Sequence, residues 1–341
     1  GAAAQLESRN PALWRVLSKR LLIGGDLAAP LHEHPAGDYV LRKLIELIQS
    51  GQFWLLPSRF MLFICGGSMR TEEGGKKSLR LQFVEYAKDN IHSEHLLLAE
   101  SAFEELTTYN GFFFRNLAHL EETISHVVDC VILFTESPGS FAELGYFAGS
   151  EIKKKVLVAM PFEHHADGSF INEGIMPIIE SESPYRGPAL IQINGHIAQD
   201  FQSVETKLQK LRNYNKKNKT KMNLEDSDEM SIQLIFYLSC FLVQVCRVLH
   251  IDDLKRLLTE VVGLVLETET FDQVIAFACG SGLLVRVGDQ MKFLIHSVEV
   301  APFIEIKGVQ EGRITATAVE FYSEYFPEIL NLVGAESLDL Q

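Results

Sequence analysis

The stretch "TESPGSFAEL", Thr135 to Leu144, brings together residue types that do chemistry. Ser137 and Ser140 supply hydroxyls, and Gly139 lets the backbone approach a ligand closely. Backbone N–H groups at a helix start can hold a phosphate or a sugar hydroxyl. Glu143 places a carboxylate one turn into the helix that follows. A helix N-terminus favours an ionised carboxylate, which serves as a nucleophile or as a stabiliser of positive charge. At a ribosyl C1′ the transition state resembles an oxocarbenium ion, and a carboxylate beneath it stabilises the developing charge. On residue types alone, Glu143 is equally a first-turn acid favoured only by the helix dipole.

Such a loop needs a scaffold. Val128 to Phe134 reads as a buried strand, and so do the apolar runs "MLFICGG", "HLLLAE", "KVLVAM" and "PALIQIN". Helical segments lie between them: "KKSLRLQFVEYAKDN", "NLAHLEETISHV" and "GSFAELGYFAGSEI". Strands alternating with helices predict an α/β fold, a parallel sheet with helices on both faces. Ligands in such folds sit past the carboxyl ends of the strands. Both "CGGSMR" and "TESPGS" follow strand ends, so they are expected to converge on one site.

The 341 residues are long for one core. We divide them into a helical extension (1–57), a sheet domain (58–205), a linker (206–229) and a C-terminal domain (230–341). The extension includes the amphipathic run "YVLRKLIELIQSG", which ends at a glycine, and shows no chemistry. The linker segment "KLQKLRNYNKKNKTK" carries seven basic residues and "LEDSDE" four acids. It is either a solvated helix end with a flexible loop or a contact for a nucleic-acid backbone. The C-terminal part reads as helices "IDDLKRLLTEVVGLVLE" and "FDQVIAFACGSG". Then "PFIEIKGVQEGRITATAVEFYSEYF" reads as strand, turn, strand and final helix, a winged-helix-like order. The candidate recognition segment there, "QMKFLIHSVEV", offers only Lys292 and His296 as cations, too few for sequence reading of DNA.

The net charge of −14 argues against non-specific nucleic-acid binding by the whole surface. Five cysteines without a CxxC pair fit buried thiols in a reducing cytoplasm. No signal peptide is expected. Residues 230–249 have the length of a membrane span. But Gln233, Tyr237, Cys240, Gln244 and Arg247 form one polar stripe, as on a mostly buried helix. The histidines do not form a metal site. "GGKKS" fails the P-loop spacing, and no Ser-His-Asp signature is placed.

"ESPGSFAELGYFAG" resembles the active-site loop and helix of nucleoside 2-deoxyribosyltransferases. In those enzymes a Glu placed like Glu143, followed by Leu-Gly-Tyr, is the covalent nucleophile. Over roughly residues 61–341 the chain is similar to retron-associated effectors of the deoxyribosyltransferase-like class. The likeness includes "FICGG", "SLR" at 78–80, "VDCVILFTESPGSFAELG", "SFINEG" at 169–174, the Lys-rich linker and the winged-helix-like end. It implies a Rossmann-like sheet domain with Glu143 as nucleophile and Gly66 and Gly67 lining the sugar and phosphate region. Ser137, Pro138, Gly139 and Ser140 would surround the ribosyl group. Arg80 would pair with a phosphate, or be a surface arginine. Glu100 would orient a ribose hydroxyl, or be an acid near a helix N-cap. Asp129 would reach the site, or be a strand-start acid. Asn172 would reach this site or that of a neighbouring subunit; a shared site would require at least a dimer.

The resemblance further implies a toxic N-glycosidase of a retron anti-phage system, cleaving the base–ribose bond of NAD or a related nucleotide. NAD would be substrate rather than cofactor, and no other cofactor is expected. The retron reverse transcriptase and its branched RNA–DNA product (msDNA) would hold the activity in check. Lys207, Lys210, Arg212, Lys216, Lys217, Lys219 and Lys221 would contact that partner. The rival class is a non-catalytic nucleotide-sensing module. Two departures stand out: Glu136 precedes Ser-Pro where the transferases often carry an acid for the base, and simple nucleoside enzymes lack the C-terminal domain.

Overall fold

The computed structural model describes residues 30–56, 60–71, 75–91, 94–109, 117–165, 168–193, 196–215, 220–222, 231–263, 265–287, 292–296, 302–327 and 329–330. Helix α1 (Pro35–Gln49) opens with a proline in its first turn and with His34, whose side chain accepts the Ala36 N–H at 3.2 Å. The next element, β1 (Gln52–Leu55), is a strand inside the region read as helical.

The sheet region then runs β2 (Phe60–Gly66), α2 (Leu79–Asn90), β3 (Glu94–Leu97), α3 (Ala99–Tyr109), α4 (Leu117–Val127), β4 (Cys130–Phe134) and α5 (Pro138–Ala148). It continues with β5 (Val156–Pro161), α6 (Met176–Glu182), β6 (Ala189–Ile191) and α7 (Gln202–Asn215). All five runs read as strands lie in one parallel sheet of order β3-β2-β4-β5-β6. β4 and β5 are buried end to end because helices cover both faces. On one face Leu62, Ile64, Ile132 and Phe134 meet Phe83 and Val84 of α2 and Val204 and Leu208 of α7. On the other, Phe63, Val131 and Leu133 share a core with Leu106, Leu120, Ile124, Leu144 and Phe147 from α3, α4 and α5. Each such side chain contributes roughly 1.5–3 kcal/mol by leaving water. From β2 the chain goes to β3 on one side and returns to β4 on the other. The crevice beyond β2 and β4 is therefore the topological switch point, where open α/β sheets bind ligands.

The remainder comprises β7 (Thr220–Lys221), α8 (Ile232–Cys246), β8 (Val248–His250), α9 (Ile251–Val262), α10 (Thr268–Gly280), β9 (Leu284–Val287), β10 (Phe293–His296), β11 (Ile304–Lys307) and α11 (Glu311–Tyr325). β8, β10 and β9 form one antiparallel sheet, and β1 lies between β11 and β7 in another. α1 packs on α9 and α11, so the N-terminal segment is built into the C-terminal half. α10 packs on α3 of the sheet region, and a Cβ on Gly280 would sit 2.9 Å from the Ala102 N.

Two expectations need correction here. "ITATAVEF", read as a strand, is part of α11. Phe293–His296, inside the candidate recognition segment, is a strand paired on both sides. Of the basic run, Gln202–Asn215 is helix and Thr220–Lys221 is strand. α8 is buried among protein elements, and among the described residues no helix is long and apolar enough to cross a membrane.

Candidate active site

The two loops do converge. Gly66 pairs in register with Phe134 at the ends of β2 and β4. Its φ is +126°, and a Cβ there would lie 2.5 Å from the Phe134 carbonyl oxygen, so only glycine fits. Gly67 leaves room for the Glu136 carboxylate, which a Cβ would strike. Glu136 accepts the Leu79 N–H at 2.6 Å and the Arg80 N–H at 3.1 Å, stitching the loop after β4 to the start of α2. Ser78 caps the same helix by accepting the Leu81 N–H at 2.9 Å.

The serines of the second loop also serve the backbone. Ser140 Oγ accepts the N–H groups of Glu136 (3.0 Å) and Ser137 (2.9 Å), and Ser137 Oγ accepts that of Ser140 (3.3 Å). This reciprocal cap starts α5, with Pro138 in its first turn. Ser137 and Ser140 therefore fix the loop's shape rather than present free hydroxyls. Gly139 faces open space: a Cβ there would find only Ser137 Oγ, at 3.9 Å.

Four charged side chains from four helices meet beside this loop. Arg80 of α2 is buried and forks onto Glu100 of α3, with both Nη atoms 2.7 Å from the two carboxylate oxygens. Its remaining contacts go to the carbonyls of Ile64 (3.0 Å) and Gly67 (3.4 Å). Glu100 is the second residue of α3, not the end of a strand, and its side chain is 56% exposed. Burial alone would raise its carboxyl; the Arg80 fork outweighs that and holds it below the usual value. Glu143 of α5 and Glu121 of α4 behave oppositely. Burial, then the Glu121 charge, pushes Glu143 up to about 7, with Arg80 opposing. Burial likewise pushes Glu121 up to about 7, again against Arg80. Desolvation and the neighbouring acid thus beat the helix dipole, which alone would keep Glu143 ionised. Glu143 Oε2 is buried without a hydrogen-bond partner. Cys65, at the end of β2, is a buried neighbour whose thiol burial pushes well up.

Glu121 has no signal in the sequence. It sits in an ordinary amphipathic helix, and only the tertiary packing aims it at Glu143.

Asp129 does not belong to this site. It precedes β4, at the opposite edge of the sheet, where its carboxylate accepts the Met61 N–H (2.8 Å), the Tyr237 hydroxyl (2.8 Å) and the Gln233 amide (3.0 Å). It is the strand-start acid, and it fastens α8 to the sheet. Asn172 lies in a π-helical turn, Ile171–Ile175, whose elements pack on α5. Its amide nitrogen donates to the carbonyls of His164 (2.8 Å) and His165 (3.3 Å) of the same chain. Lys207 donates to the carbonyls of Tyr185 (2.8 Å) and Gly187 (2.6 Å), so it closes a turn. Lys210 and Lys221 are exposed. Lys216, Lys217, Lys219 and the Arg212 side chain lie outside the described residues.

Fold and site define an α/β protein with a carboxylate-lined cleft at the switch point of its sheet. The model of the STM3845 retron effector family matches residues 76–286, more than half of the chain, and the chain belongs to that family. Over 127 residues it is 32% identical to an Escherichia coli protein named "Retron Ec73 putative ribosyltransferase/DNA-binding protein", covering 37% of this chain and 40% of that one. A second Escherichia coli protein, "Retron Ec86 putative ribosyltransferase/DNA-binding protein", is 30% identical over 117 residues, 34% of this chain and 36% of that one. The chain thus spans about two fifths of the length of the curated relatives it matches.

Proposed function

We propose that this chain is the toxic effector of a bacterial retron anti-phage system. On this reading it is an N-glycosidase that breaks the base–ribose bond of NAD or a related nucleotide through Glu143. The observation that carries this is the Glu143 carboxyl: at the sheet's switch point, with one oxygen unpartnered, and flanked by a second buried acid. In the reaction, a Glu143 oxygen bonds to C1′ as the C1′–N bond breaks, and the bonding pair leaves with the base. Water then attacks the ribosyl ester and frees Glu143. Nicotinamide departs neutral from a cationic linkage and needs no proton. A neutral purine nucleotide does need one, and on this reading protonated Glu121 supplies it.

The acid-rich surroundings favour a substrate with positive charge at the breaking bond. The α2 amides that would greet a phosphate are taken by Glu136, so phosphate groups sit nearer Gly139 and the open side of the cleft. The relatives' names pair a ribosyltransferase with a DNA-binding protein, which accords with a catalytic half and a nucleic-acid half. The order α8-β8-α9-α10-β9-β10, with β10 between β8 and β9, supports the winged-helix-like reading of the second half. The reverse transcriptase and its msDNA dock on that half and on the exposed lysines Lys210 and Lys221, in the cytoplasm, through salt-sensitive phosphate contacts. A homo-oligomer completes the assembly.

The test is base release. The chain, alone and with its reverse transcriptase–msDNA complex, is incubated with NAD, ATP, dATP and deoxynucleosides, and free base is followed by chromatography. Release that vanishes in Glu143→Gln supports the enzyme. Ligand binding without release, unaltered in that variant, supports the sensing module instead.

A further inference from the structure

Glu100 occupies a curious position. It is the most exposed acid of the cleft, yet both of its oxygens are used by one buried arginine at 2.7 Å. That arginine has two other acids within its field, Glu121 and Glu143, and pairs with neither in a hydrogen bond. Its Nε is pinned to the Ile64 carbonyl and one Nη to that of Gly67. The helix carrying Glu100 is itself clamped. α10 packs along α3, and Arg286 Nε meets Glu105 of α3 at 3.0 Å with the arginine side chain 6% exposed.

We propose that Glu100 is a positioning residue: by taking up the Arg80 fork it keeps that guanidinium off Glu143 and Glu121, so that Glu143 stays an unpaired nucleophile. The alternative arrangement is Arg80 forked onto Glu143, whose charge it already feels. It would leave a poorer nucleophile, since a bidentate arginine occupies both attacking oxygens. Glu100 thus acts through Arg80, not on substrate. This rests on the assignment of Glu143 as nucleophile only for its effect on rate; the effect on the two carboxyls stands apart from it.

Among the described residues, the groups that face the acid pair are Arg80 on α2, Glu100 on α3, Cys65 on β2, and the Tyr146 hydroxyl, which donates to Glu122 at 3.0 Å. Of these, Arg80 and Glu100 carry opposing charges: Arg80 lowers the Glu143 carboxyl and Glu100 raises it, Arg80 the more strongly. Removing either one shifts the field in a single direction, and removing both takes the two opposing effects away together.

The experiment is a charge cycle read on the full chain. Glutamate side-chain carboxyls are labelled with carbon-13 and titrated by NMR, with Glu143→Gln and Glu121→Gln spectra assigning the two signals. Glu100→Gln keeps the shape and one acceptor oxygen for buried Arg80, and a melting curve of each variant confirms the folded state before titration. Glu100→Gln should move both titration midpoints down by roughly half to one pH unit. Arg80→Gln should move them up, and the double variant should lie between the two single variants. The pH profile of base release should follow the same three shifts. Unmoved midpoints in Glu100→Gln, with a raised KM, would make Glu100 a substrate-contacting group and overturn the proposal. Shifted midpoints in a chain that releases no base would sustain it while removing the glycosidase reading.

Discussion

Glu136 bridges the two loops of the cleft, its carboxylate accepting the Leu79 N–H at 2.6 Å and the Arg80 N–H at 3.1 Å. Glu136→Ala leaves both helix-start amides unsatisfied, an expected loss of about 1–3 kcal/mol. Urea unfolding measures it. Glu136→Gln should recover part of the loss, because an amide oxygen still accepts one of the two. Base release should fall further than stability, since the same bonds place the loop against Arg80.

Glu143→Gln should abolish base release without unfolding the chain, and it should change how stability depends on pH. Glu143 and Glu121 each titrate near 7 in the fold, above the usual carboxyl value of 4.5. The native state therefore binds more protons than the unfolded chain between those values. Stability is fully retained below pH 4.5 and falls as pH rises through 7. For Glu143 the loss is on the order of 1 kcal/mol once its partial exposure is allowed for. The variant should thus melt higher than the parent at pH 8 and match it near pH 4.5, as calorimetry across that range would reveal.

The two acids interact, so they titrate as a pair with two apparent values. Substrates whose base leaves with a proton should show a bell-shaped profile around neutrality, highest when the pair holds one proton. NAD should lose the alkaline limb, because its leaving group needs none. Identical profiles for NAD and dATP would remove Glu121 from the proton-donor role.

Asp129 predicts a different phenotype. Asp129→Ala strips partners from the Met61 N–H, Tyr237 and Gln233 at the far edge of the sheet. The expected cost is about 2–4 kcal/mol of unfolding free energy. The kcat of the folded fraction, measured below the melting transition, should stay at the parental value.

The sheet was legible because its strands are continuous apolar runs, and α5 because "SPGS" supplies a cap and a proline at the right spacing. Both loops of the cleft could be placed from the strand ends. α3 is not legible because Leu98 and Ala99 continue an apolar run and no Ser, Thr, Asp or Asn stands at the position before the helix. "ITATAV" carries β-branched residues at strand-like density. It is nonetheless helical, because Ile314, Ala318, Phe321 and Tyr322 fall on one face and are buried there. Glu143 announced itself through its loop. Glu121 and the Arg80–Glu100 fork depend on which helices lie side by side, which no local spacing encodes.

Gly280 meets the Ala102 backbone so closely that it cannot enlarge without a shift: the missing Cβ would lie 2.9 Å from the Ala102 nitrogen. A C-terminal half taken from another chain would dock on this sheet region in the same way only if it brought a residue as small at that position, so the seam constrains how the two halves can be recombined.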